Sequence, residues 1–181
     1  MGQLTLVLGG ARSGKSDYGE RLAQSLSEDV LFVATADPAD EEMATRIARH
    51  RRRRPAHWRT VEAPSRVAEA IAGETGRVVL LDCVTILVSN VILALGEALD
   101  QDAADSAVST ELDALLVAVQ ETDERHWIVI SNEVGLGIVP DNRLARIYRD
   151  ALGRANQRIA SVARRVVYMI AGVPLIVKEG P

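Results

Sequence analysis

The sequence predicts an α/β protein built on a mainly parallel sheet with helices on both faces. Short apolar runs alternate with stretches of helical periodicity along the chain, which is typical of units that place parallel strands between two helical layers. The last two apolar runs, residues 166–170 and 175–177, surround Gly172 and Pro174 and are assigned to a terminal antiparallel portion. No linker divides the 181 residues, so we expect residues 1–181 to form a single domain.

The first elements along the chain are a strand, a loop, a helix and a second strand. Residues 4–8 are an apolar run that ends in two glycines, and residues 17–27 then carry large apolar side chains at helical spacing. Residues 30–34 form a second apolar run whose length fits a buried strand.

A basic helix is predicted next, over residues 38–54. Asp37 and Pro38 suit the N-cap and the first helical position, acidic residues follow them, and arginines crowd the last turns, so both ends suit the helix dipole. Pro55 disfavours helical geometry at the residue before it and should end the helix.

The second half of the chain repeats the alternation of strands and helices. Residues 97–105 are acidic and are expected to form a surface loop. The other predicted elements are a strand at 78–81 that leads into Asp82, an apolar helix at 84–95 closed by Gly96, a helix at 109–121, a strand at 127–130 followed by Ser131, Asn132 and Glu133, and a helix after Pro140 with Leu144, Ile147, Leu152, Ile159 and Val162 facing inward.

Composition excludes several classes of function. The net charge of -4 and the aromatic content of 3% argue against a nucleic-acid partner, because such proteins are basic and stack bases on aromatic rings. The apolar segments lack the length and flanks of a membrane span or an export signal. Cys83 is a lone cysteine among apolar neighbours, so we expect a buried, unreactive thiol and a cytoplasmic protein.

The strongest motif is a phosphate-binding loop between the first strand and the first helix. Its sequence is GGARSGKS, formed by Gly9, Gly10, Ala11, Arg12, Ser13, Gly14, Lys15 and Ser16, and it fits the P-loop pattern in the required strand-to-helix context. Small residues let main-chain N–H groups surround phosphate oxygens, the lysine reaches the outer phosphates, and the serine hydroxyl holds Mg²⁺. Only two of the 21 basic residues are lysines, and one of them is Lys15.

Asp82 is the candidate acid of this site. P-loop enzymes need a carboxylate at the end of a neighbouring strand to hold Mg²⁺ or its waters, and Asp82 follows the apolar run 78–81. Ser16 and Asp82 are therefore the predicted metal-site residues. The alternative is that Asp82 only caps the helix that follows.

His50 has two possible roles when the residues are considered alone. It lies among six arginines of the basic helix, and neighbouring positive charge favours a neutral imidazole that could attack phosphorus. The structural alternative is a helical histidine beside a solvated basic face, and a lone histidine is more often of that kind.

Taken together, the motifs resemble a known family, the bifunctional adenosylcobinamide kinase and adenosylcobinamide-phosphate guanylyltransferase of cobalamin biosynthesis. The resemblance spans nearly the whole chain. Its segments are GGARSGKS at 9–16, ATA at 34–36, EEMATRIARHRRRRPAHWRTVE at 41–62, LLDCVTILVSN at 80–90 and NEVGLGIVPDNRLARIYRDALGRANQ at 132–157.

The resemblance implies a RecA-like P-loop NTPase fold, a homotrimer and two reactions. ATP or GTP phosphorylates adenosylcobinamide, and GTP then delivers GMP to the adenosylcobinamide phosphate with release of pyrophosphate. The resemblance also assigns His50 the role of the guanylylated histidine. That assignment reverses the preference for a structural histidine that the residues alone suggest. The implied nucleotide contacts are the P-loop, Ala34, Thr35, Ala36, Arg51, Arg52, Arg53, Arg54, Glu62 and Asp82.

Two departures and two alternatives accompany this interpretation. Relatives often carry a basic residue where this chain has Asp17, and their metal-site acid can be a glutamate where this chain has Asp82. A different P-loop small-molecule kinase, with a structural His50, would not form a covalent guanylyl adduct. A scaffold ATPase that uses the arginines for RNA or DNA would bind nucleic acid in a salt-dependent way.

Overall fold

A computed structural model describes residues 3–36, 54–122 and 124–180. Most of the basic helix predicted over 38–54 lies outside these residues. In chain order the described elements are β1 (Gln3–Gly9), α1 (Lys15–Leu26), β2 (Val30–Ala34), β3 (Arg59–Glu62), α2 (Val67–Ala70), β4 (Val78–Asp82), α3 (Val84–Leu93), a 3-10 turn (Gly96–Ala98), α4 (Gln101–Gln120), β5 (His126–Ile130), α5 (Arg143–Val162), β6 (Arg165–Ile170) and β7 (Val173–Glu179).

The described strands form a seven-stranded sheet in the order β3-β2-β4-β5-β1-β6-β7. Every neighbouring pair is parallel except β6 and β7, which are antiparallel. This arrangement confirms the predicted parallel sheet with a terminal antiparallel portion. Because parallel strands all point the same way, the C-terminal ends of β1, β2, β3, β4 and β5 lie at one edge of the sheet, which we call the carboxyl edge.

The apolar strand sequences are explained by burial on both faces of the sheet. Along β2, Leu31 and Val33 belong to one hydrophobic cluster and Phe32 belongs to the other, as expected when side chains alternate across a strand. The helix α1 packs on the Phe32 side, while α2 to α5 pack on the other side. The largest anchors are Phe32 and Trp127, one on each face, and burying such a side chain contributes about 1.5–3 kcal/mol.

Three details differ from the sequence expectations. The strand β3 and the short helix α2 were not predicted, and β3 lies at the end of the sheet with its first and last residues exposed. The acidic stretch 97–105 is not a loop, since α4 begins at Gln101. The reason is that Asp100 caps this helix. Its carboxylate accepts a hydrogen bond from the Ala103 N–H at 2.8 Å, which gives a partner to one of the free N–H groups in the first turn.

The helix α5 has a narrower apolar face than its periodicity indicates. Ile147, Leu152 and Ile159 are buried as predicted, whereas Leu144 is 39% exposed and Val162 is 44% exposed. Both exposed residues lie within one turn of a helix end, where the neighbouring elements no longer cover the helix. Within the described ranges, no helix has both the length and the apolar character needed to cross a bilayer.

Candidate functional site

The P-loop connects β1 to α1 in a conformation that depends on its glycines. Gly9 has φ 151, and a Cβ at this position would lie 2.6 Å from the main-chain oxygen of Met169 on β6. Gly14 has φ 91 and stands at the N-cap of α1. Both positions have the backbone geometry that favours glycine, and the helix that follows directs its positive end toward the loop.

Lys15 is the buried cation of this loop. Its side chain is 7% exposed, and Nζ donates a hydrogen bond to the Gly10 carbonyl oxygen at 2.6 Å. Burial lowers the pKa of Lys15, while the negative charge of Asp82 acts in the opposite direction. The charge of Asp82 therefore acts on the ammonium, although the two residues are far apart in sequence.

Asp82 is the last residue of β4 and lies on the carboxyl edge. The N-cap position of α3 is occupied by Cys83 rather than by Asp82, and the Cys83 side chain makes no capping hydrogen bond. The Cys83 thiol is unsuited to nucleophilic chemistry, because burial and the neighbouring Asp82 raise its pKa to about 11.

Thr35 fixes the junction that follows Asp82. Its hydroxyl donates to the Cys83 carbonyl at 2.8 Å and accepts from the Cys83 N–H at 2.8 Å, and its main-chain N–H donates to the Asp82 carbonyl at 3.3 Å. The residue is fully buried, so its hydroxyl is committed to the protein itself. Of the predicted nucleotide contacts at 34–36, Ala34 and Thr35 are buried, and Ala36 is half-buried and able to meet a ligand.

The predicted contacts on β2 and β3 lie together. Glu62 pairs with Ala34 in the register of the two strands and is exposed to solvent. The Arg54 guanidinium lies 3.3 Å from the centroid of the Phe32 ring, a cation–π contact, and lines a groove of about 340 Å³ together with Asp17 and other α1 residues. His50, Arg51, Arg52 and Arg53 lie outside the described residues.

A turn after β5 completes the carboxyl edge beside the P-loop. The Ser131 N–H donates to the Val7 carbonyl at 3.0 Å, and the Glu133 N–H donates to the Gly9 carbonyl at 3.1 Å. Asn132 is held from the other side, because its N–H donates to the Thr85 hydroxyl at 2.7 Å and its carbonyl accepts from the Asn156 amide at 3.0 Å. The sequence showed these polar residues after a buried strand, but we assigned them no role.

The β6–β7 hairpin also contacts the P-loop. The Gly172 N–H donates to the Ser13 carbonyl at 2.9 Å, and a Cβ on Gly14 would lie 3.3 Å from the Gly172 Cα. The P-loop is therefore held by main-chain hydrogen bonds from both sides, the turn after β5 and the hairpin turn.

Ser16 and Asp82 suit Mg²⁺, since both offer the hard oxygen donors that this ion prefers. Ser16 is half-buried in the first turn of α1, and Asp82 acts on the neighbouring Lys15. The described residues contain no cluster of three or more His, Cys, Asp or Glu side chains able to hold a metal. A magnesium site of this class does not require one, because phosphates and waters supply most of the ligands.

Comparison with known proteins identifies the family. Residues 5–177 match the family described as cobinamide kinase / cobinamide phosphate guanyltransferase. The bifunctional adenosylcobalamin biosynthesis protein CobU of Escherichia coli is 42% identical over 182 residues, covering 97% of this chain and 99% of that protein. CobP of Pseudomonas aeruginosa, which carries the same description, is 44% identical over 178 residues, covering 97% of this chain and 98% of that protein.

Solved structures support the fold. A prototypical ATPase from a type III secretion system superposes with a TM-score of 0.52 at 15% identity, covering 93% of this chain and 52% of that one. With the strand order given above, this likeness confirms the predicted RecA-like P-loop fold. The near-complete match to the family and to its curated relatives likewise confirms the resemblance inferred from the motifs. The chain belongs to the cobinamide kinase / cobinamide phosphate guanyltransferase family.

Proposed function

We propose that the chain phosphorylates adenosylcobinamide with ATP or GTP and then transfers GMP from GTP to the product, giving adenosylcobinamide-GDP and pyrophosphate. The observation that carries the proposal is the P-loop with its buried Lys15, with Asp82 at the end of β4 on the same edge of the sheet, in a chain of the family whose description names these two activities.

The kinase step uses the P-loop to position the γ-phosphate. The main-chain N–H groups from Gly9 to Ser16 and the N-terminus of α1 hold the phosphate oxygens, and Lys15 compensates the negative charge that develops during transfer. Ser16 and Asp82 would hold Mg²⁺, which would supply neutralisation of the phosphate charge.

The guanylyl step uses His50 as the nucleophile. A neutral imidazole attacks the α-phosphorus of GTP, the bond to the bridging oxygen breaks, and pyrophosphate leaves with the electron pair. Arg51, Arg52, Arg53 and Arg54 compensate the charge on the phosphates. The position of Arg54 against Phe32 of β2 supports this role, because it brings the end of the arginine run to the strand that carries Ala34. Ala34, Thr35, Ala36 and Glu62 then hold the guanosine.

We also propose that the protein is a cytoplasmic homotrimer. The strand β7 is the terminal strand of the sheet, and four of its apolar residues are 46–66% exposed. An exposed apolar edge strand is a surface for pairing with another chain, and we assign it to a second copy. Sedimentation velocity of Val177→Glu should show a smaller species than the unchanged protein.

The decisive experiment is covalent labelling by the nucleotide. The protein is incubated with GTP radiolabelled at the α-phosphate, and we expect an adduct that is labile in acid and stable in base, as a phosphoramidate on histidine should be. His50→Ala should lose the label while its kinase activity on adenosylcobinamide remains. Addition of adenosylcobinamide phosphate should discharge the label from the unchanged protein.

His57→Ala is the matched control, since this exposed histidine has no proposed role and its loss should leave the labelling intact. If the unchanged protein phosphorylates adenosylcobinamide but never takes up the label, the guanylyl-histidine route is wrong. Nucleotide hydrolysis with neither activity would leave only a generic P-loop ATPase.

A further inference from the structure

We propose that Glu133 is the general base of the kinase step, accepting the proton of the cobinamide hydroxyl as that oxygen attacks the γ-phosphate. This inference rests on the proposed function. It begins from the position of the turn after β5, which none of the nucleotide contacts described above uses.

Glu133 lies immediately beside the P-loop. Its N–H donates to the Gly9 carbonyl at 3.1 Å, so its main chain contacts the first residue of the phosphate-binding loop. On the other side of β5, Asp82 is paired with Ile130 in the register of β4 and β5. The turn thus stands between the loop that holds the triphosphate and the acid that is proposed to hold the metal.

Other carboxylates at the carboxyl edge are less suited to this role. Glu62 ends β3, which is four strands from β1 in the sheet order, about 19 Å at the usual strand spacing of about 4.8 Å. Asp82 acts on Lys15 and is assigned to the metal. Asp17 lines the groove that contains Arg54, on the α1 side of the sheet.

The carboxylate of Glu133 is held and still reachable. The residue is half-buried, and Oε1 accepts a hydrogen bond from the Gly135 N–H, which fixes the side chain near its own turn. A carboxylate has a second oxygen and further lone pairs, so one such contact leaves capacity to accept from a substrate hydroxyl.

The segment that follows Glu133 suits a large acceptor with apolar surface. Leu136 is 82% exposed, Ile138 is 96% exposed and Val139 is 58% exposed, an unusual density of exposed apolar side chains next to a nucleotide site. A corrinoid bound against this segment would bring its hydroxyl-bearing arm toward Glu133 and the γ-phosphate.

The proposed step balances as follows. The hydroxyl oxygen forms a bond to the γ-phosphorus while the bond from that phosphorus to the β,γ-bridging oxygen breaks. The nucleoside diphosphate leaves with the electron pair, and the hydroxyl proton passes to Glu133 and then to water. The guanylyl step starts from a phosphate that has no hydroxyl proton to lose, so Glu133 is needed in the first reaction only.

The test compares Glu133→Gln with Glu121→Gln in the full-length protein. Glutamine keeps an oxygen that accepts from the Gly135 N–H and leaves the main-chain contact to Gly9 unchanged, so the change removes the negative charge and the basicity of the side chain. Glu121 is exposed at the C-terminal end of α4, and its replacement makes the same change of charge away from the site.

We expect Glu133→Gln to lower kcat for phosphorylation of adenosylcobinamide by about 10²-fold or more, the usual contribution of general base catalysis. Guanylyl transfer measured from adenosylcobinamide phosphate should stay within about threefold of the unchanged protein, since general base catalysis is absent there. Glu121→Gln should behave as the unchanged protein in both assays. Formate should partly restore the kinase activity of Glu133→Ala, which a merely structural role would not allow.

The inference is overturned if Glu133→Gln keeps its kinase kcat, or if it loses both activities equally, which would make the turn only an anchor of the P-loop. Absence of both activities from the unchanged protein would instead contradict the proposed function itself.

Discussion

Two regions of the carboxyl edge bind nucleotide in the proposal, and they are built differently. The P-loop region is one contiguous segment, Gly9–Ser16, held by main-chain hydrogen bonds from the turn after β5 and from the β6–β7 hairpin. The β2–β3 region consists of Ala34–Ala36, Arg54 and Glu62, which come from separate segments and meet only in the folded sheet.

The two regions also differ in the groups that hold them in place. Main-chain groups hold the P-loop, whereas side chains hold the β2–β3 region, where the Asn90 amide donates to the Thr35 carbonyl and to the Pro64 carbonyl, both at 2.9 Å. The proposed phosphate contacts therefore come from one segment, whereas the contacts to a particular base and sugar come from several segments that meet in the folded sheet. A change in the P-loop should affect both reactions, and a change in the side chains that hold the β2–β3 region together should act through stability.

The largest effect is expected from Lys15→Met. Methionine fills a similar volume but removes the ammonium that faces the phosphates, so both kinase and guanylyl-transfer rates should fall by about 10²-fold or more. Steady-state assays with each substrate measure this loss. Arg77→Met, which removes an exposed basic side chain just before β4 at the opposite edge of the sheet, is the control. Loss of only one activity would mean that the two reactions do not share the P-loop.

A smaller effect is expected from Thr35→Val. This nearly isosteric change leaves the Cys83 N–H without its partner, while the Cys83 carbonyl keeps the hydrogen bond from the Leu87 N–H. The unpaired N–H should cost about 1–3 kcal/mol of unfolding free energy. Urea denaturation measures it. Thr110→Val is the matched control, because that exposed hydroxyl donates to the Ser106 carbonyl within α4 and its loss should cost less than about 0.5 kcal/mol. Equal costs for the two variants would show that the β2–β3 region does not depend on this side chain.

The smallest effect is a pH dependence that belongs to neither region. His126 lies at the amino end of β5, where its Nε2 is 3.0 Å from the Thr5 hydroxyl, and burial, with Arg164 and Arg165, lowers its pKa. The folded state then binds a proton less readily than the unfolded state. The contribution of His126 to the free energy of unfolding is therefore fully present above the unfolded pKa of about 6.5, and it is lost as pH falls from that value through the lower folded pKa.

Thermal unfolding between about pH 8 and pH 5.5, which brackets that unfolded pKa, should therefore show a falling melting temperature. His126→Gln should flatten this slope, because glutamine keeps a hydrogen-bonding group without a titrating proton. An unchanged slope in the variant would assign the effect to other groups.

The sequence predicted most of the sheet and the P-loop because their signals are local. Buried parallel strands are continuous apolar runs, and the P-loop carries all its chemistry in eight adjacent residues. The strand β3 gave no such signal, since only four residues pair and they stand at the end of the sheet. Asp100 was assigned to a loop because acidic composition alone does not distinguish a loop from a helix cap.

Contacts between distant residues were beyond reach of the sequence pattern. The hydroxyl of Thr35 and the main chain of Cys83 are 48 residues apart, and the Glu133 turn meets Gly9 only through the strand order. Helical periodicity also placed Leu144 and Val162 inward, although it cannot tell where neighbouring elements stop covering a helix. His50 was favoured as a nucleophile only through the family resemblance, and its role stays a prediction.

The β6–β7 hairpin has a consequence for how the enzyme would respond to dilution. Its turn, with Ala171 at φ 50 and Gly172 at φ 85, donates the hydrogen bond to Ser13 in the P-loop, and its outer strand is the surface assigned to a second copy. Association of subunits would then restrict the motion of the P-loop, the segment proposed to bind the triphosphate. Specific activity per chain should rise with protein concentration until the oligomer saturates, so that catalysis itself would report on assembly.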